Sequence, residues 1–157
     1  MLTRLRNLSL EADGRYATDA ELQLMDAYIQ SFELRLQTYL KLQSLEMTVI
    51  REVETRLKSM DPQLYMRGTE DYAGKWKADT VRMYRLSALT MLIDDPERLQ
   101  ERVLFWFQTL MRAFRAQRSC DVTYQLLQES VRKHLASAEA ELICPILEMN
   151  RVILGLD

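Results

Sequence analysis

The chain has 157 residues, 48% of them hydrophobic and 28% charged, a balance that suits one globular core and excludes a disordered tail or a collagen-like repeat. Its 21 Lys and Arg against 23 Asp and Glu leave a formal charge of −2; there is no basic excess to neutralise a phosphate backbone, so nucleic acid is not an expected partner. Two cysteines without paired spacing, Cys120 and Cys144, and an opening Met1-Leu2-Thr3-Arg4-Leu5-Arg6 without an apolar secretory run point to a reducing cytoplasm. Uncharged stretches such as Leu86 to Ile93 fall far short of the roughly 20 residues that span a bilayer, and no membrane span is expected.

With only four Gly and three Pro among abundant Leu, Met, Gln, Glu, Ala and Arg, the chain reads as all-α. Leu2, Leu5, Leu8 and Leu10 have roughly helical spacing up to the turn dipeptide Asp13-Gly14, which marks residues 1–17 as an N-terminal arm. Such a segment is too short to stand alone in water. It is expected to pack on its own domain or on a second chain, and a homodimer is the form anticipated. Thr18 with Glu21 three positions on is a capping box in which the hydroxyl takes an orphan amide and the carboxylate reaches back. Leu22, Met25, Ile29, Leu36, Leu40, Met47, Ile50 and Leu57 then form a stripe on two helices, or on one bent near Gln30-Ser31-Phe32, ending near Met60. Asp61-Pro62 and Gly68 bracket a loop.

Tyr72, Trp76, Met83, Leu86 and Leu89 predict a helix that stops at Asp94-Asp95-Pro96. Proline suits the first turn of the next, which Asp95 would cap and which runs through Leu99, Val103, Leu104, Phe107 and Leu110. Another follows through Val122, Leu126, Leu127, Val131 and Leu135, and a last short one through Ile146, Met149, Ile153 and Leu154. About seven helices in one domain over residues 1–157 fit a globin-like packing better than a four-helix bundle.

Particular residues carry more than composition does. Asp13-Gly14-Arg15-Tyr16, Thr18, Ala20-Glu21-Leu22, Ala27-Tyr28, Glu33-Leu34-Arg35-Leu36 and Val49-Ile50 resemble, without a gap, the opening of an allophycocyanin-type phycobiliprotein subunit. Tyr84-Arg85, Met91-Leu92, Asp95-Pro96, Leu99 and Glu101-Arg102-Val103-Leu104 resemble the helix pair after the chromophore cysteine in that family, whose pattern is D-P-x-x-L-x-E-R-V-L. The resemblance covers most of residues 2–135; the last twenty match weakly, and the family's Gly-Val-Pro turn is replaced by Arg115-Ala116-Gln117. It implies a globin-like, phycocyanin-type fold with an N-terminal helical extension that pairs with a partner subunit. It is compatible with a place on the cytoplasmic face of thylakoids.

The family attaches a linear tetrapyrrole to a cysteine in a C-x-R-D pattern. Counting back from Asp95-Pro96 puts Trp76 at that cysteine, Ala78 at the arginine and Asp79 at the aspartate that holds the pyrrole nitrogens; counting forward from Tyr72 puts Lys75 at the cysteine instead. The first register is favoured, because an insertion is easier near Gly68 to Gly74 than inside a helix. Covalent attachment at the usual position is then excluded, and the chain is similar to the cysteine-less globins associated with bilin biosynthesis. A bilin such as phycocyanobilin or biliverdin, held without a bond, would need a carboxylate for its N–H groups, cations for two propionates and aromatic walls. Asp79, Lys77, Arg82, Arg85, Trp76 and Tyr72 are the candidates. Arg82 could equally pair with Asp79 as an ordinary i, i+3 surface contact, and Trp76 could fill the volume a pigment would occupy.

Phe105-Trp106-Phe107 cannot all face one core, since neighbours on a helix point about 100° apart. Phe107 belongs to the stripe, and Phe105 or Trp106 is expected at a boundary suited to a partner surface or under a second layer of core. Residues 98–134 carry seven Lys and Arg, Arg115 and Arg118 among them, against three acids, a local excess able to steer an acidic partner or a propionate-bearing ligand. The single histidine, His134, is not expected to ligate haem, and Cys144 is expected as a buried thiol. No nucleophile with a base, metal-ligand cluster or phosphate-binding glycine loop appears, so the expectation is a non-enzymatic protein. It would serve bilin biosynthesis or handling beside bilin biosynthetic enzymes. The alternative is a non-pigmented structural subunit that assembles with antenna subunits of the phycobilisome.

Overall fold

A computed structural model describes residues 1–67 and 70–155; the loop boundary expected at Gly68 lies outside them. The described residues are predominantly helical: α1 (Leu2–Glu11), α2 (Asp19–Met60), α3 (Ala73–Ile93), α4 (Pro96–Leu99), α5 (Phe105–Ala113), α6 (Gln117–His134) and α7 (Ser137–Gly155). A 3-10 turn (Pro62–Tyr65) and a two-residue antiparallel ladder, β1 (Met66–Arg67) with β2 (Glu70–Asp71), occupy the stretch read as loop. The fold is all-α and globin-like.

Local chemistry sets most of these boundaries. Thr18 and Glu21 form the capping box, with the Thr18 amide donating to the Glu21 carboxylate at 2.7 Å and the Thr18 hydroxyl accepting from the Glu21 amide. From there α2 runs unbroken for 42 residues, a rod of roughly 63 Å at 1.5 Å per residue, so a single helix replaces the pair or bend that the sequence left open. Helix α3 ends in a Schellman turn: Asp94 is left-handed at φ 49°, its amide donates to the Met91 carbonyl, and the Asp95 amide to that of Thr90. Asp95 sits at the N-cap of α4, but its carboxylate accepts from the Thr3 amide and hydroxyl at 2.8 and 3.0 Å. The arm is thereby held on its own chain. Met1 is buried there too, with its amine donating to the Asp94 carbonyl.

The helix expected from Pro96 to Leu110 is present as α4, a π-helical segment (Gln100–Leu104) and α5. The last helix is longer than the short one expected. It begins at Ser137 and carries Pro145 inside it. The core lies among the second half of α2, α3, α6 and α7, where Leu42, Ile50, Leu57, Met91, Leu127 and Leu147 are sealed from solvent. Much of the predicted stripe differs: Leu22, Ile29 and Leu36 in the first half of α2, and Leu40 and Met47 in the second, are exposed. Among the described residues no helix is long and apolar enough to cross a membrane.

Candidate functional site

A cleft of about 300 Å³ opens where α3 faces the 3-10 turn on one side and the α5–α6 turn with the start of α6 on the other, within the range of roughly 300–1,000 Å³ typical of small-molecule sites. Helix phase selects what α3 presents to it. At about 100° per residue, Tyr72, Trp76, Asp79 and Met83 fall on one side of the helix, and all four line the cleft. Lys77 and Arg85 lie on other sides of the same helix and are engaged elsewhere. The Lys77 ammonium meets Glu54 of α2 at 2.9 Å, and Arg85 makes a two-pronged bond to Glu46 at 2.7 Å per contact. Arg82 is exposed, does not line the cleft and forms no ion pair among the described residues. The structure therefore brings Tyr72, Trp76 and Asp79 together and leaves Lys77, Arg82 and Arg85 outside.

Trp76 is part of the wall of the cleft. Its indole N–H donates across to the Thr123 hydroxyl of α6 at 2.9 Å, and its ring meets Tyr65 edge-on at 5.1 Å between centroids. Tyr65 is fixed in turn by its hydroxyl, which donates to the Glu54 carbonyl, and burial pushes its ionisation upward. Asp79 is partly buried beside this wall and makes no hydrogen bond or ion pair to any described residue. A carboxylate lining a cleft without a partner is a ready acceptor for N–H donors.

The cations at the cleft are Lys75, Arg115 and Arg118. Lys75 lies 4.8 Å from the Phe114 ring centroid, a cation–π contact, and Arg118 pairs with Asp61 at 3.1 Å while remaining mostly exposed. Arg115 closes a second Schellman turn: its amide donates to the Arg112 carbonyl and that of Ala116 to Met111, with Arg115 left-handed at φ 51°. This is the position where glycine usually stands, and where the resemblance places the glycine of a Gly-Val-Pro turn. The signal for Arg115 and Arg118 was present in the sequence as the basic excess of residues 98–134; the packing that brings them beside α3 was not.

Apolar surface completes the cleft, with Tyr65, Met83, Phe107 and Met111 on its sides. Cys120 and Tyr124, one turn apart on α6, face α3 across it. Burial first, then the neighbouring Cys120 and Asp79, push the Tyr124 hydroxyl well above its ordinary pKa, so it stays a neutral donor. Away from the cleft, His134 is half-buried against Glu52 at 3.0 Å. Cys144 is buried, which raises its thiol pKa. Phe105 and Trp106 are 50% and 58% exposed, Trp106 stacking on Phe107 at 6.3 Å.

The all-α, globin-like fold agrees with what a comparison of the chain with family models finds. The phycobilisome protein family matches residues 8–154, and the chain belongs to that family. No curated protein matches it.

Proposed function

We propose that this phycobilisome-family chain is a non-enzymatic globin that holds a linear tetrapyrrole without a covalent bond and serves bilin synthesis or handling. The observation that carries this reading is Asp79: a carboxylate with no hydrogen bond or ion pair to a described residue, lining a cleft beside Trp76. In this reading Asp79 accepts from the pyrrole N–H groups, Tyr72 and Trp76 flank the rings, and Lys75, Arg115 and Arg118 take the two propionates. That last role moves from Lys77, Arg82 and Arg85, which the cleft does not reach. The pigment would supply visible absorption; the chain supplies charge complementarity and shape.

The test is expression in cells that make phycocyanobilin, with biliverdin titrated separately, followed by absorption before and after acid denaturation. The expected result is colour that separates from the chain on denaturation and is held at least about tenfold more weakly by Asp79→Ala, as loss of a charge-assisted hydrogen bond implies. A colourless wild-type protein overturns the reading.

One observation favours a second reading, a non-pigmented structural subunit of the antenna. Ile29, Leu36 and Leu40 on α2, and Phe105 with Trp106 on α5, expose large apolar side chains of the kind that anchor partners. Co-purification with phycobilisome cores, without pigment on this chain, is its signature. In either reading α1 and the first half of α2 are the surface proposed to pair with a second copy or a related subunit.

A further inference from the structure

Tyr124 is 4% exposed, lines the cleft, and makes no hydrogen bond to any described residue. Its oxygen is not among the sealed, unpartnered side-chain atoms of the described residues, so it opens onto the cleft, and whatever fills that space, water or ligand, supplies its hydrogen-bond partner. The neighbouring polar groups of the wall are committed differently. Thr123 accepts from Trp76, while Asp79, across the cleft on α3, is an acceptor only and close enough for its charge to act on Tyr124. The cleft therefore holds a neutral donor on α6 opposite an anionic acceptor on α3, neither with a hydrogen bond or ion pair to a described residue.

We infer that Tyr124 is a specificity-determining residue, whose O–H donates to a carbonyl oxygen of a ligand whose N–H groups are accepted by Asp79. The inference rests on the proposed bilin reading. It adds that the chain selects a molecule presenting an amide-like carbonyl and N–H donors along one edge, as the lactam ends of a linear tetrapyrrole do. A phenol without a partner contributes nothing to the fold through its oxygen, so removal of that oxygen separates the two roles.

The experiment uses the full chain and phycocyanobilin as the probe, comparing wild type with Tyr124→Phe. The expected result is affinity for the pigment lowered roughly three- to tenfold, the worth of one hydrogen bond, a shifted absorption band, and an apo-protein urea midpoint that is unchanged or higher. In wild type the bound pigment's lactam C=O stretch falls below its free value, a measurement that does not depend on the variant folding. Equal affinity and an identical band in Tyr124→Phe, or an unshifted C=O stretch in wild type, overturn the inference and leave the bilin reading standing; a water molecule is then the hydroxyl's partner. A lowered apo midpoint also overturns it, by showing a structural hydroxyl. Wild-type protein that takes up no pigment overturns both.

Discussion

Arg115 occupies a backbone conformation that disfavours any side chain: at φ 51° its Cβ crowds the following carbonyl, at a cost of roughly 1–2 kcal/mol that glycine avoids. Glycine gives part of that back through the greater freedom of the unfolded chain. Arg115→Gly is thus expected to raise the unfolding free energy by about 0.5–1 kcal/mol in urea titration, while weakening uptake of a dianionic pigment through loss of one cation. Opposite signs for stability and binding separate the two roles in a single variant. Trp76 makes the converse case, since Trp76→Phe keeps an aromatic wall but removes the donor to the buried Thr123 hydroxyl; a loss of about 1 kcal/mol is expected, read from the same titration. At this scale the placement of Tyr72, Trp76 and Asp79 along one cleft was legible, because helix phase alone sets it. The engagement of Lys77 and Arg85 was not legible, because their partners Glu54 and Glu46 lie on another helix and no local pattern names them. Tyr124 was missed altogether, since nothing in the α6 stripe distinguishes a tyrosine facing a cleft from one facing the core.

The same division between local and distant causes holds for the elements. The start of α2 and the stop of α3 were readable from Thr18, Glu21 and Asp94-Asp95-Pro96, where the chain's own side chains and turns satisfy its ends. The extent of α7 was not. Pro145 lacks the N–H that would bond four residues back, yet the helix runs from Ser137 to Gly155 around it, held by a face that includes Ile143, Ile146, Leu147 and Leu154. The proline ring is itself exposed, so Pro145→Ala removes little packing and restores a bond. A gain of about 1–3 kcal/mol in unfolding free energy is expected, against the roughly 3 kcal/mol that separates the two residues in a helix interior. Helix α2 shows the complementary limit. Leu22, Ile29 and Leu36 recur every seven residues, a spacing that marks a helix seam, but they are exposed on this chain, Ile29 by 65%. Periodicity identifies an apolar face and not its occupant. If that face pairs with a second copy, Ile29→Glu with Leu36→Glu lowers the mass seen in sedimentation equilibrium while leaving helicity unchanged; an equal mass for variant and wild type removes homodimerisation through this face.

Across the whole molecule the helices are tied together by carboxylates, three of them on α2. Glu46 and Glu54 reach Arg85 and Lys77 of α3, Glu52 takes Ser130, Lys133 and His134 of α6, Arg56 meets Glu129, and Lys41 bonds the buried Glu139 of α7. Exposed pairs of this kind are individually worth little, but protonation removes them together. The Ser130 hydroxyl, with Lys133 and His134 behind it, holds Glu52 at about 2 against the opposing effect of burial; Arg151, then Gln128, hold Glu148 at about 2. Glu46, Glu54, Glu129 and Glu139 are lowered too, each first by its cationic partner Arg85, Lys58, Arg56 or Lys41. A folded-state pKa below the unfolded value means that the unfolded chain binds more protons as pH falls, so this contribution is complete above the ordinary carboxylate range and disappears as pH descends through the folded values. The urea midpoint is therefore expected to change little in response to these groups from pH 7 to about 5 and to fall steadily between about 4.5 and 2. Glu52→Gln should start from a lower midpoint at pH 7 and show a shallower acid decline, because the group with the most partners no longer titrates. A variant whose decline runs parallel to wild type through that window would show that the α2–α6 contact at Glu52 is not part of what acid dissolves.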